Sequence, residues 1–162
     1  MRRFAIMMVF CIFCIVMLMA ACQKAGEPTN SITEPYQYPV VPGTEEWANL
    51  GSLQEMAKAC QIPEDILSCM TTEALVETVA NYPLWINVLA YDDPQLGLEH
   101  VKGYFNGLRE LCTRDDAIEK IEIYIAERLL YSEDEPDSEE KSTKKFKTWY
   151  LEVILEDLRS DG

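Results

Sequence analysis

Histidine is nearly absent from this chain of 162 residues, which contains only His100. A single histidine cannot build a His-rich zinc site, and it makes Ser-His or Cys-His catalysis depend on one residue. No cysteine-histidine signature lies near His100, which follows Glu99 in a predicted helix. The sequence therefore predicts no catalytic residue and no metal site.

Basic residues are also scarce, because 14 Lys and Arg stand against 28 Asp and Glu and give a formal net charge of -14. Nucleic-acid-binding proteins need a basic surface that neutralises phosphates, so this balance excludes nucleic acid as a partner. The chain has no Walker-type or dinucleotide-binding glycine pattern, no G-x-S-x-G and no H-E-x-x-H. We expect no cofactor.

Strand patterns are missing as well. No run of five or more residues alternates strictly between apolar and polar side chains, and no Asn-Gly or Asp-Gly turn lies between β-branched runs. Helix signals recur instead: Ser52 with Glu55 forms a capping box, and Thr71 or Thr72 caps a later helix. The predicted fold is all-α, a single small bundle of about six to seven short helices over residues 44–162.

The long apolar run at the N-terminus indicates a targeting signal. Arg2-Arg3 precedes an uncharged stretch from Phe4 to Ala21, the pattern of a secretory signal or a short membrane anchor. Its end, Leu18-Met19-Ala20-Ala21-Cys22, resembles the lipobox of bacterial lipoproteins, in which small residues admit the peptidase and the cysteine sulfur receives a diacylglycerol. We predict a lipoprotein signal peptide over residues 1–21 and lipidation of Cys22. An ordinary cleaved signal and an uncleaved anchor are the alternatives.

Residues 22–43 separate this signal from the predicted domain. They are rich in proline and small polar residues and predict a disordered tether. Tyr36 and Tyr38 near its end either dock on the domain or lie exposed.

An acidic stretch interrupts the predicted domain at residues 132–141. Six carboxylates within ten residues repel one another, and Pro136 disfavours a regular helix. A calcium loop needs a glycine at its sixth position, and this stretch has no glycine. We predict a solvated loop, whose acidic residues are Glu133, Asp134, Glu135, Asp137, Glu139 and Glu140.

Three cysteines, Cys60, Cys69 and Cys112, lie in the predicted domain, whereas Cys11 and Cys14 fall in the predicted signal. Their odd number favours small buried hydrophobic side chains. A Cys60–Cys69 disulfide is the alternative, since it closes the shortest loop.

Aromatic residues supply the candidate binding surface. Trp and Tyr can line a groove for a sugar or a peptide because they combine flat apolar area with a polar tip. At helical spacing among Leu and Ile, most of them predict core instead. Tyr82, Trp85 and Tyr91 lie in predicted connecting segments, where binding residues are frequent, and are the predicted ligand-binding residues.

Two pairs of carboxylates share a predicted helical face, Glu73 with Glu77 and Glu119 with Glu122. Acid-base pairs and di-metal sites use this spacing. Neither pair has a Glu-x-x-His partner, so we predict solvated faces.

Three segments carry a family resemblance: CQIPEDIL at 60–67, MTTEALVETV at 70–79 with NYPL at 81–84, and FNGLREL at 105–111. Through these segments, the region from Pro42 to about Ala117 resembles a family of uncharacterised secreted or lipid-anchored helical proteins of anaerobic gut bacteria. The resemblance implies an all-helical domain on an exported protein and supplies no activity.

The sequence thus predicts an extracytoplasmic lipoprotein, held to the bacterial cell membrane through a lipid on Cys22. Because no catalytic constellation is present, we expect a non-catalytic binding or scaffolding module whose partner is an envelope protein or a glycan. The alternatives are a carboxylate-dependent cell-envelope hydrolase and an accessory subunit of a membrane complex. An apolar groove beside Tyr82 and Trp85 would favour the module, whereas converging carboxylates of raised pKa would favour the enzyme.

Overall fold

The computed structural model describes residues 31–129 and 136–160. The predicted signal peptide, Cys22 and the first half of the predicted acidic loop, with Glu133, Asp134 and Glu135, lie outside these residues.

The described chain is helical, which confirms the all-α prediction. The only β-type pairing in the described ranges is an isolated bridge between Ile32 and Met70. Within the same ranges, no helix has both the length and the hydrophobicity to cross a bilayer. The elements are α1 (Glu45–Ala48), α2 (Leu53–Ala59), α3 (Glu64–Leu67), α4 (Thr72–Ala80), a 3-10 helix (Trp85–Ala90), α5 (Pro94–Tyr104), α6 (Asn106–Leu111), α7 (Ala117–Arg128) and α8 (Glu139–Ser160).

The helices begin where polar side chains satisfy their first backbone N–H groups. Ser52 Oγ accepts from the Glu55 N–H at 3.2 Å, as the capping box predicts. Thr71, rather than Thr72, caps α4, with its Oγ1 accepting from the Ala74 N–H at 3.3 Å. Asp93 caps α5 in the same way through the Gln95 N–H. Local side-chain chemistry therefore sets these boundaries.

Helix α4 lies at the centre of the core and packs against α6, α7 and α8. Its residues Leu75, Val76 and Val79 are fully buried. Immediately after α4, the ring of Tyr82 stacks on that of Phe105, with centroids 3.8 Å apart and planes 7° from parallel. The ring pair thus joins the end of α4 to the junction between α5 and α6.

The α5–α6 junction is held by the buried side chain of Asn106. Its Oδ1 accepts from the Ile62 N–H at 3.1 Å, and its Nδ2 donates to the Ile62 carbonyl at 2.7 Å. The next residue must be glycine, because a Cβ on Gly107 would lie 2.5 Å from the Phe105 ring and 2.8 Å from Ile62. The junction therefore ties the segment between α2 and α3 to the Tyr82–Phe105 pair.

The second half of the predicted tether differs from expectation, because residues from Ile32 onward belong to the domain. Ile32 donates to the Cys69 carbonyl at 2.8 Å and accepts from the Thr71 N–H at 2.9 Å. Tyr36 donates its N–H to Thr78 Oγ1 at 2.9 Å, and Tyr38 donates its hydroxyl to the Thr78 carbonyl at 3.1 Å. This segment follows α4 from its start to its last turn, so the domain begins at Ile32 and not at Thr44.

The predicted acidic loop also ends earlier than expected, because α8 begins at Glu139. Ser138 Oγ accepts from the Lys141 N–H at 3.0 Å and so supports the first turn. Glu139 and Glu140 lie in that turn, where negative charge interacts favourably with the helix dipole.

Substitution of Thr78 tests whether the docked segment contributes to folding. We expect Thr78→Val to lower the free energy of unfolding by about 1–3 kcal/mol, because the Tyr36 N–H loses its acceptor inside a packed interface. Urea denaturation measures this loss, and faster amide exchange at Tyr36 should accompany it. Thr143→Val, at an exposed position of α8, is the control. Equal stability of both variants would show that the segment is not part of the folded unit.

Candidate functional site

The three predicted ligand-binding residues lie in different environments. Tyr82 has no exposed surface, since it is stacked on Phe105 inside the core. Burial raises the pKa of its hydroxyl above the ordinary value of a tyrosine. The Tyr82 N–H donates to the Val79 carbonyl, which continues the turn of α4 and draws the ring inward. Tyr82 is therefore a core residue and offers no surface to a ligand.

Trp85 and Tyr91 remain partly exposed but lie apart. They lie at opposite ends of the 3-10 helix, which is roughly 12 Å long at about 2 Å per residue. The Trp85 ring lies 5.7 Å from that of Phe146, on α8. The Tyr91 ring lies 5.2 Å from that of His100, on α5. The structure thus separates the two residues and pairs Trp85 with an aromatic residue of the last helix.

Trp85 belongs to an exposed apolar surface, here called the aromatic face, which also contains Ile86, Leu89, Phe146 and Trp149. Ile86, Leu89 and Phe146 are 56%, 50% and 51% exposed. Ile86 and Leu89 point in the same direction, because residues three apart eclipse each other in a 3-10 helix. Between the 3-10 helix and α8 runs a groove of about 410 Å³, lined by Leu89, Phe146, Trp149 and Lys145.

Sequence patterning places Phe146 and Trp149 in the core stripe of the last helix, but only part of that stripe is buried. Tyr150 and Ile154 have no exposed surface, whereas Phe146 is half exposed. The sequence contains one indication that Phe146 is exposed, because this residue lies between Lys145 and Lys147. Lysines on both sides of an aromatic residue are more typical of a surface than of a core.

A second concave surface, here called the polar cleft, lies between α4, α7 and the start of α8. It encloses about 760 Å³ and is lined mainly by Glu77, Tyr124, Arg128, Thr143, Lys144 and Lys147. Burial raises the pKa of Tyr124 to about 12, and the nearby Glu77 adds to the shift. Burial lowers the pKa of Lys147, whose Nζ donates to Asn81 Oδ1.

Four charged side chains of the polar cleft form ion pairs with one another. Lys144 Nζ lies 3.0 Å from Glu140 Oε1, and Arg128 Nη1 lies 4.0 Å from Glu77 Oε2. Beside the cleft, Glu73 accepts from Lys120 at 2.8 Å, and this hydrogen bond lowers the pKa of Glu73. A general acid needs a raised pKa, so Glu73 is shifted in the opposite direction.

The second predicted carboxylate pair is also engaged with cations. Glu119 Oε1 lies 3.5 Å from Lys120 Nζ, and Glu122 accepts from Arg159 Nη2. Both carboxylates are more than half exposed. In the described part of the chain, no three His, Cys, Asp or Glu side chains form a group that could hold a metal ion.

None of the three described cysteines forms a disulfide. Cys60 is fully buried, and burial raises the pKa of its thiol to about 11, which disfavours the nucleophilic thiolate. Cys69 and Cys112 are half-buried. Thus the Cys60–Cys69 disulfide considered as an alternative is not formed.

No protein-family model matches this sequence, and no curated protein or solved structure is significantly similar to it. The resemblance to helical envelope proteins of gut bacteria therefore stays a prediction. Two surfaces remain as candidate sites: the aromatic face, which is exposed and apolar, and the polar cleft, whose charges are internally compensated.

Paired leucine substitutions test whether the aromatic face contributes to stability. We expect Leu89→Ala to lower the free energy of unfolding by less than about 1 kcal/mol, because half of the side chain is already in water. Leu98→Ala, at a fully buried position of α5, should cost about 2–5 kcal/mol. Urea denaturation of both variants gives the comparison. A loss at Leu89 as large as that at Leu98 would show that the face is part of the core.

Proposed function

We propose that this chain is a lipid-anchored extracytoplasmic protein whose helical domain is a non-catalytic binding module. The observation that carries the proposal is the aromatic face, with half-exposed Leu89 and Phe146 beside Trp85 and Trp149. Contiguous exposed apolar side chains on a folded domain mark interaction sites, and tryptophan is enriched among the residues that dominate binding energy.

The core of the domain is filled by residues that do not belong to the aromatic face. Tyr82, Phe105 and Tyr150 provide large side chains with no exposed surface, and Ile62 and Leu75 are buried with them. Because Phe146 and Leu89 remain partly in water, the fold lacks a stabilisation of about 25 cal/mol for each Å² of their apolar area that could have been buried. A surface that costs stability in this way is expected to have a function in binding.

The N-terminal sequence supports the predicted location. Two small residues, Ala20 and Ala21, precede Cys22 at the end of an uncharged apolar run, and polar residues follow directly. A cysteine that carries two or three acyl chains is firmly held in a bilayer, since each buried methylene is worth about 0.8 kcal/mol. The partner of the module would then be a component of the cell envelope: a protein, a glycan or the membrane itself.

A carboxylate-dependent envelope hydrolase is the second candidate and would have to use the polar cleft. The cleft has the volume for a ligand and holds Glu77, Glu139 and Glu140. However, Glu77 and Glu140 face Arg128 and Lys144. Glycoside hydrolysis needs two carboxyl groups that flank the scissile bond, whereas Glu77 and Glu140 are each engaged by a cation. The aromatic face therefore supports the binding module better.

Substitution of Cys22 tests the lipid anchor directly. In a bacterial expression host, Cys22→Ala should abolish incorporation of labelled palmitate and remove the acyl mass from the purified protein, because the sulfur that accepts the diacylglycerol is gone. The control is Cys69→Ala, which removes a half-buried thiol and should still be labelled. Undiminished labelling of Cys22→Ala would contradict the lipoprotein assignment.

A further inference from the structure

We propose that the aromatic face docks on the lipid surface of the membrane that carries the chain. This inference deepens the proposed function, because it rests on attachment through Cys22 and names the membrane interface as the occupant of the face. Three independent features support it: the length of the tether, the side chains of the face and the local charge.

The part of the predicted tether that precedes the domain, residues 22–31, is short. Ile32, the first residue hydrogen-bonded into the domain, comes ten residues after Cys22. Ten residues span at most about 35 Å when fully extended, and about 18 Å as a flexible coil. A domain of roughly 130 residues has a radius of gyration of about 14 Å, so its width is comparable with the reach of the tether. An anchored domain therefore stays within about one domain width of the headgroups.

The point of entry is compatible with docking of this face. Ile32 pairs with Cys69 and Thr71 at the start of α4, whereas Trp85 follows shortly after its end. Helix α4 has nine residues and is thus about 14 Å long. The tether can span that distance, so the acyl chains can stay inserted while the aromatic face contacts the same bilayer.

The side chains of the face match a membrane interface. Trp85 and Trp149 have an apolar ring body with a polar N–H, the combination that places tryptophan at the headgroup level. Ile86, Leu89 and Phe146 can enter the acyl boundary beside them, as the apolar face of an interfacial helix does. Two tryptophans and three exposed aliphatic or aromatic side chains therefore form a typical interfacial set.

A positive side chain, Lys145, lies at the edge of the face, whereas the whole chain has a formal net charge of -14. Residues 141–151 contain four lysines and no acidic residue, but Lys141 is buried and Lys144 and Lys147 line the polar cleft. Lys145 lines the groove beside Phe146 and Trp149. A lysine is attracted to an anionic lipid surface, whereas the acidic remainder of the domain is repelled. Lys145 thus favours contact of this face with anionic lipid.

Fluorescence quenching tests the docking. The lipidated full-length protein with Trp47→Phe retains tryptophans only at Trp85 and Trp149, both on the face. In vesicles of phosphatidylcholine and phosphatidylglycerol, brominated acyl chains should quench its emission by half or more. The matched control, Trp85→Phe with Trp149→Phe, retains only Trp47 and should be quenched by less than a tenth. Far-UV circular dichroism verifies that both variants are helical.

Further variants identify the cause of the quenching. Leu89→Asp places a charge in the groove and should reduce the quenching at least twofold, as should Lys145→Glu, which reverses the charge at the edge of the face. Lipidated protein whose Trp85 and Trp149 are not quenched would overturn the docking proposal alone. In that case, concentration-dependent crosslinking through the face would assign the face to a second copy of the chain. Absence of acyl mass on the purified protein would instead overturn the proposed function, and the docking proposal with it.

Discussion

The stack of Tyr82 on Phe105 is the contact on which the rest of the structure depends. Its rings lie 3.8 Å apart and join the end of α4 to the break between α5 and α6. Asn106 extends the same junction to Ile62 through two hydrogen bonds, and Tyr38 packs its ring 6.5 Å from Phe105. Elements from four parts of the sequence therefore meet at one buried cluster, and displacing either ring would loosen all of them.

The stack also decides which aromatic residues remain outside. Once Tyr82 is drawn into the core, the chain continues into the 3-10 helix with Trp85 at the edge of the core, 6.2 Å from buried Tyr150. On α8, Tyr150 and Ile154 fill the inner side, and Phe146 extends past the packed region. The aromatic face is thus a consequence of a core completed by other residues. The polar cleft is not an apolar surface of this kind, because it is lined by cations and carboxylates that compensate each other.

Local rules account for much of the fold. The caps at Ser52 and Thr71 and the stripe of α4 are readable in the sequence, since they depend on neighbours within one helical turn. The docking of Ile32 on Cys69 and Thr71 is not readable, because it is a backbone pairing between residues almost forty positions apart. A proline-rich segment with a few bulky residues has no periodicity that would reveal such a contact.

The candidate surface could be predicted only in part, because the sequence does not show contacts between residues that are far apart along the chain. Composition favours Tyr82 and Trp85 equally as groove residues, and only the three-dimensional stack separates the buried ring from the exposed one. The role of Phe146 was hidden because a helical stripe does not report where the partner helices end. Where the apolar stripe of α8 extends past the packed helices, Phe146, with lysines on both sides, lies on the surface although its spacing is typical of the core.

Hydroxyl-radical footprinting of the lipidated protein tests most directly the proposal that the chain is lipid-anchored and that its aromatic face contacts the bilayer. Labelling of Phe146 and Trp149 would be measured on vesicles, and again after a lipase has released the protein by hydrolysing its acyl esters. Both residues should become at least several-fold more reactive on release, while Trp47 and the exposed Leu53 should not change. Equal labelling of Phe146 and Trp149 before and after release would contradict the proposal.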